Sequence, residues 1–268
     1  MTYSLEGRPS RGALPVAGTP AGDQNRDAFY VALLGIIGYD ARLIWTPETN
    51  ETTTSTDRSL NERVITYDAT VAARYSPLGS MWQIDFDGTD DEADTPDAAA
   101  LSFGNSVTDE PFSVGVLCTP DVNNAAMTLI AKENASTAEE WNLRLNASGH
   151  LVLTLTDESA SGTIVGTFAT AVGTAVTLLG AGYDGTGANT GIQLYKNGAK
   201  VTTARSAAGS YVAMEDTTAL VHLFARYTTK EEFFNGKGAL SFITPRYLDD
   251  SAWWELKRLV NAYHDVGI

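Results

Sequence analysis

The chain is poor in cysteine, which excludes stabilisation by disulfides within it. Its 268 residues include a single cysteine, Cys118, so no internal disulfide can form. Cys118 continues an alternating run through Phe112, Val114 and Val116. Such alternation is typical of a strand with one face turned to a core. We therefore predict that Cys118 is a small, buried core residue.

Basic residues are missing from a long acidic stretch. Residues 76–125 contain ten acidic side chains and no Lys or Arg, in a chain of net charge −15. Phosphate groups would be repelled by such a surface, so we predict that nucleic acid is not a partner. The simplest interpretation of the acidic residues is that they keep the protein soluble.

Long apolar runs are also missing. The longest, from Ala28 to Ile37, is too short to cross a bilayer. The first residues lack a basic region followed by an apolar stretch, so we expect no signal peptide and synthesis in a cytoplasm. A membrane partner is not predicted.

Recognisable catalytic motifs are absent. His150, His222 and His264 stand in no nucleophile or metal motif, and neither a Gly-x-Ser-x-Gly sequence nor a phosphate loop occurs. Asp85 and Asp87 share a strand face, but the third acid expected of a glucan hydrolase does not follow at strand spacing. We predict that the protein is not an enzyme.

The chain begins with a stretch of different composition. Residues 1–26 are rich in Gly, Pro, Ala and Ser without any period, which predicts an extended arm. The apolar segment 28–38 fits either a short capped helix or a buried strand. We therefore divide the chain into residues 1–38, an extended N-terminal arm with a short apolar segment, and a folded module over 39–268.

Within that module a two-residue period predominates. Trp141, Leu143 and Leu145 share one face, residues 146–149 form a turn, and a second alternating run follows, as in a β-hairpin. Asn197-Gly198 between two alternating runs predicts another hairpin. Near the end, Asp249–Ser251 offers an N-cap for a helix near residues 250–265, with Trp253, Leu256, Val260 and Tyr263 on its apolar side.

Four segments, in this order and spacing, resemble the laminin-G-like or concanavalin A-like jelly-roll family. They are Ile84-Asp-Phe-Asp-Gly88; Phe112-Ser-Val114; Tyr183-Asp-Gly185 with Leu194-Tyr-Lys-Asn-Gly198; and Phe234-Asn-Gly236 with Arg246-Tyr-Leu248. The chain departs from the family pattern at Val176, where a Trp is usual, and at Gly238, where an Ile is usual. The resemblance implies an all-β, two-sheet antiparallel jelly-roll sandwich, here with an N-terminal arm and one C-terminal helix.

A loop rich in carboxylates is the candidate metal site. Asp87, Asp90, Asp91 and Glu92 lie close together in sequence, and Ca²⁺ prefers such oxygen ligands. Some members of the family hold calcium at the edge of the sandwich. Calcium is therefore the one cofactor considered, and simple solvation of the acids is the alternative.

The resemblance implies a structural or decoration protein on the head or tail of a tailed bacteriophage. In this hypothesis the arm attaches the protein to other virion proteins, such as the major capsid protein or tail proteins, the location is the virion, and the protein is a homo-oligomer. The alternative is a carbohydrate-binding module for a host glycan, with Tyr183, Tyr211 and Tyr227 as candidate sugar-stacking residues.

Overall fold

The computed structural model describes residues 21–48, 53–67, 75–79, 81–134, 138–226 and 232–268. Within these ranges the strands form two antiparallel sheets, and two helices accompany them. The predicted all-β sandwich with a C-terminal helix is confirmed, and its architecture is compatible with a jelly roll.

Along the described part of the chain, the eight strands of sheet A and the nine strands of sheet B follow one another in runs of one to four strands. Sheet A consists of β1 (Leu43–Trp45), β4 (Tyr75–Leu78), β5 (Met81–Asp87), β7 (Phe112–Pro120), β12 (Thr177–Tyr183), β13 (Ile192–Lys196), β14 (Ala199–Lys200) and β17 (Asn235–Thr244). Sheet B consists of β2 (Thr54–Thr56), β3 (Val64–Tyr67), β6 (Ala93–Thr95), β8 (Met127–Glu133), β9 (Glu139–Leu145), β10 (His150–Asp157), β11 (Gly162–Ala171), β15 (Thr203–Ala208) and β16 (Val221–Leu223).

The order of the strands shows which of them form the edges. The strand order in sheet A is β14-β13-β12-β7-β17-β5-β4, and β1 pairs with residues 241–243 near the C-terminal end of β17. Sheet B runs β15-β11-β10-β9-β8-β16-β6-β3-β2. The predicted hairpins are present: β9 and β10 pair across residues 146–149, and β13 and β14 pair across Asn197 and Gly198, which both have positive φ, as a tight two-residue turn requires.

The main core lies between the two sheets. Cys118 is buried there, as predicted, together with Phe86, Phe112, Leu194 and Phe234. Strand β7 is buried on both faces, because its alternate residue Leu117 belongs to a second core on the other side of sheet A. Sheet A is therefore the middle layer of the molecule.

Helices α1 (Ala21–Ile37) and α2 (Asp250–His264) cover the outer face of sheet A. Asp249 caps α2 by accepting the Ala252 N–H at 2.9 Å, as the sequence predicts. The Trp253 ring of α2 stacks on Tyr195 with 4.9 Å between centroids. It also lies over Gly180, where a Cβ would come within 1.9 Å of it, so only glycine lets the helix approach this closely.

The prediction of an extended arm over residues 1–26 is wrong for its last six residues. Helix α1 begins at Ala21, just after the last proline of the stretch, Pro20. Phe29, Leu33 and Ile37 recur every four residues and are fully buried in the second core, so the apolar segment is a helix rather than a strand. Residues 1–20 lie outside the described residues. Neither described helix is long and apolar enough to span a membrane.

Candidate functional site

Three of the four predicted calcium ligands come together at the end of β5. One carboxylate oxygen from each of Asp87, Asp90 and Asp91 lies within 4.8 Å of the other two. Asp91 is buried and accepts the Asp87 N–H at 2.7 Å, while Asp87 accepts the Thr89 N–H at 2.8 Å. These bonds shape a tight acidic turn, and calcium binding there stays a prediction.

Glu92, the fourth predicted ligand, does not join this group. Its side chain is buried, and Oε2 lies 3.1 Å from Nδ1 of His222 on strand β16. Glu92 and Asp91 are buried, so the interpretation of the acidic stretch as a solvated surface does not apply to these two residues. Sequence reasoning missed the contact because 130 residues separate Glu92 from His222.

Two of the three tyrosines proposed from the sequence as sugar-stacking residues have structural roles. Tyr183 is fully buried and Tyr211 is partly buried, and both hydroxyls donate to Oδ2 of Asp109 at 2.7 Å. Burial, together with the Asp109 carboxylate, raises the pKa of both tyrosines. Asp109 also accepts the Met214 N–H at 2.9 Å and so holds the loop before β16 in place. Tyr227 lies outside the described residues.

Two other aromatic side chains are exposed on the helix-covered side of sheet A. Tyr247 is 38% exposed and Trp254 is 51% exposed. Asp250 lies one helical turn before Trp254, so these two side chains are neighbours on the surface of α2. We call Tyr247, Asp250 and Trp254 the aromatic patch.

Residues of strands β12 and β13 contact Asp250 and Tyr247 of the aromatic patch from the interior of the protein. The buried Tyr195 hydroxyl donates to Oδ1 of Asp250 at 2.9 Å. Burial, the Tyr247 hydroxyl and the Asp250 carboxylate raise the pKa of Tyr195, in that order of importance. The Tyr247 ring rests on Gly182, where a Cβ would come within 3.1 Å of it. The carboxylate and the tyrosine ring are therefore fixed in place by buried groups.

A basic group completes the surroundings of the patch. Nζ of Lys257 lies 5.2 Å from the centre of the Trp254 ring, within the range of a cation–π interaction. The patch thus offers two aromatic surfaces, one carboxylate acceptor and a neighbouring ammonium group. Aromatic surface with a few fixed polar groups is the usual composition of a small-molecule site.

The sequence contained part of the signal for this patch. Trp253 lies on the apolar stripe of α2, so the adjacent Trp254 has to point away from that stripe. Tryptophan is highly buried on average, so a tryptophan on the exposed side of a helix is a candidate contact residue. By contrast, the contact of Tyr195 with Asp250 joins residues 55 positions apart, and no local pattern indicates it.

Comparison with known proteins shows similarity in fold only. No family model and no curated protein matches the sequence. The binding domain of Paraclostridial Mosquitocidal Protein 1 matches with a TM-score of 0.62 and 12% identity, over 84% of this chain and 52% of that chain. The receptor-binding domain of botulinum neurotoxin type G matches with a TM-score of 0.58 and 12% identity, over 82% and 51%.

A third structure comes from botulinum neurotoxin type C, which enters cells through interaction with two ganglioside molecules. It matches with a TM-score of 0.59 and 14% identity, over 84% of this chain and 52% of that chain. The present chain therefore spans about half the length of all three. The first two are described as binding domains rather than as enzymes, and none of the three is described as a virion protein.

Proposed function

We propose that this chain is a glycan-binding module and that the aromatic patch is its sugar site. One observation carries the proposal: the carboxylate of Asp250, which the buried Tyr195 holds in place, lies one helical turn before the exposed Trp254 and shares the Tyr195 hydroxyl with the exposed Tyr247. This reading replaces Tyr183 and Tyr211, the candidates from the sequence, with residues that a ligand can reach.

The chemistry of the patch fits an oligosaccharide. A pyranose ring has an apolar face of C–H groups, which packs against aromatic rings, and a rim of hydroxyls, which donate to carboxylates. Because the Tyr195 hydroxyl and Gly182 already fix Asp250 and Tyr247, little side-chain freedom remains to be lost on binding. Lys257 next to Trp254 would favour a sugar that carries an acidic group.

The similar structures support the same class of function. Two of the three are described as binding or receptor-binding domains, and the third belongs to a toxin that interacts with gangliosides, which are glycan-bearing lipids. Their similarity to this chain is limited to the fold and to about half of their length. The proposal therefore depends on the patch. As part of the same proposal, we expect a binding module without enzymatic activity.

The proposal is tested by screening the protein on a glycan array and titrating the strongest oligosaccharide by calorimetry. Trp254→Ala should weaken binding about tenfold or more, equivalent to about 1.4 kcal/mol or more, without a change in melting temperature. The matched control is Trp82→Ala, which removes an exposed tryptophan from β5 and should leave the affinity unchanged. Equal effects of the two variants, or no glycan bound at all, would contradict the proposal.

The virion location stays a separate prediction. It depends on the N-terminal arm, of which residues 1–20 lie outside the described residues, and none of the similar structures reported above supports it. Co-purification of the protein with phage particles would establish it. Glycan binding by the aromatic patch does not require it, because the patch lies entirely in the sandwich and α2.

A further inference from the structure

Most sheet edges in the described part of this protein are protected against pairing with another strand. Strand β14 has only two residues and ends at Lys200, β4 contains Pro77, and β2 spans only Thr54–Thr56. The free edge of β1 is covered, since the Ile44 N–H donates to Oδ1 of Asp57 at 2.7 Å. Short strands, lysine, proline and covering loops are the usual ways in which proteins prevent edge-to-edge association.

Strand β15, the remaining edge, lacks this protection. It has six residues, Thr203–Ala208, and five of them are exposed. Its sequence is Thr-Ala-Arg-Ser-Ala-Ala, so it has no proline, lysine or large apolar side chain. It pairs with β11 along its whole length without a bulge. A regular, exposed edge of this length is a template for another strand.

The hydrogen bonds to β11 reveal which backbone groups of β15 face outward. The Ala169 N–H donates to the Thr202 carbonyl. Because bonded residues alternate along an antiparallel strand, Ala204, Ser206 and Ala208 bond to β11, while Arg205 and Ala207 turn their N–H and C=O groups to the free edge. Among the described residues no group bonds to these outward backbone atoms of Arg205 and Ala207.

We propose that β15 pairs antiparallel with β15 of a second copy of this chain, with the two-fold axis at Ser206. The sheet B of each copy, with its nine strands, would then continue into the other. This interface is independent of the aromatic patch and of the proposed glycan-binding function.

The second copy is the partner that best fits this edge. In a two-fold antiparallel pair, opposing residues lie on the same face of the sheet, so the axis passes beside a residue that opposes its own copy. Near the centre of β15 this residue is either Arg205 or Ser206. An axis at Arg205 would place two like charges opposite each other, which is unfavourable. An axis at Ser206 places Arg205 opposite the partner's Ala207 and forms four backbone hydrogen bonds. The Arg205 guanidinium is already directed away, to the Ile192 carbonyl at 2.8 Å.

The charge of the chain predicts how the pairing depends on salt. Each copy carries a net charge of −15, so two copies repel each other at low ionic strength. Salt screens this repulsion and leaves the backbone hydrogen bonds. Sedimentation should therefore detect a dimer whose population rises with protein concentration and with salt.

A cysteine substituted at the axis tests the register. In the proposed pair the two copies of residue 206 face each other about 4.5 Å apart between Cα atoms, as in a non-hydrogen-bonded pair. This distance lies within the range of a disulfide. Ser206→Cys should therefore form a covalent dimer under mild oxidation. The native Cys118 is buried, so it does not compete.

The matched control is Ala204→Cys. This residue is equally exposed, but its two copies would lie four residues out of register, roughly 13 Å apart. Ser206→Lys, which places two like charges at the axis, should convert the dimer to monomer while the circular dichroism spectrum of the folded chain stays unchanged. Cross-linking of Ser206→Cys but not Ala204→Cys supports the proposal. A monomeric wild-type protein at high concentration and salt, equal cross-linking of the two cysteine variants, or a Ser206→Lys dimer would overturn it.

Discussion

His264 is a buried titratable side chain at the contact between the two helices. It lies in the last turn of α2, with its ring 5.5 Å from the ring of Phe29 and almost no exposure. Burial lowers the pKa of its imidazole from 6.5 to about 4, although the nearby backbone of Leu78 acts in the opposite direction. The folded protein therefore holds this histidine neutral at pH values where an unfolded chain would protonate it.

This difference makes stability depend on pH. Because the pKa in the folded state is depressed, the unfolded chain binds the extra proton as the pH falls from 6.5 toward 4. The free energy of unfolding should decrease over that window by up to roughly 3 kcal/mol, and the loss should be absent above it. Urea unfolding at a series of pH values measures this effect.

Two variants isolate the contribution of His264. His264→Leu should lose less stability between pH 6.5 and pH 4 than the wild type, because its side chain takes up no proton. His150→Gln, at the start of β10, should retain the pH dependence of the wild type. If His264→Leu and the wild type lost stability in parallel, the burial of a neutral imidazole would not explain the effect.

At the scale of elements, helix α1 is part of the folded structure and not of a free arm. Phe29, Leu33 and Ile37 fill the second core against α2 and sheet A. Phe29→Ala should reduce the free energy of unfolding by about 3–5 kcal/mol, as expected when a buried phenylalanine leaves a cavity. Val31 lies on the opposite side of α1 and is 62% exposed, so Val31→Ala should change stability by no more than about 0.5 kcal/mol.

Denaturant unfolding followed by circular dichroism compares these two variants. Equal stabilities would mean that α1 does not pack on the sandwich in solution. The packing of α1 also indicates where the chain can be shortened. Removal of residues 1–20 keeps α1 intact, whereas removal through residue 38 would expose the apolar surface of α2 and sheet A.

For the molecule as a whole, the acidic turn of Asp87, Asp90 and Asp91 is a candidate calcium site. A ligand that binds only the folded state stabilises it, by about 2.7 kcal/mol at a concentration one hundred times Kd. We expect the melting temperature to rise with added Ca²⁺ and to return with a chelator. Asp90→Asn should reduce the response.

An acidic residue outside this group serves as the control. Asp121 lies beyond the turn, 3.7 Å from Nζ of Lys237, and Asp121→Asn should leave the calcium response intact. A melting temperature that does not respond to Ca²⁺ in the wild type would leave structural and solvated acids as the full explanation of the turn.

The sequence by itself determined several strands, two hairpin turns and the C-terminal helix. Alternation through Phe112–Cys118, the Asn197-Gly198 turn and the cap at Asp249 are local signals. A side-chain period and a backbone angle depend on neighbours a few residues away, so they can be predicted from a short stretch of sequence. The structure confirms all three. The sequence does not decide between helix and strand for segment 28–38, because a short apolar run fits a helix or a buried strand equally well.

Only the tertiary structure decided which polar and aromatic residues meet. Tyr195 reaches Asp250 across 55 positions, and Glu92 reaches His222 across 130. Packing of the helices on sheet A exposes Trp254 while it buries Trp253, and packing at the end of the sandwich buries Tyr183 against Asp109. Such contacts depend on how distant elements stack, for which a local pattern carries no information, and the candidate site consists of them.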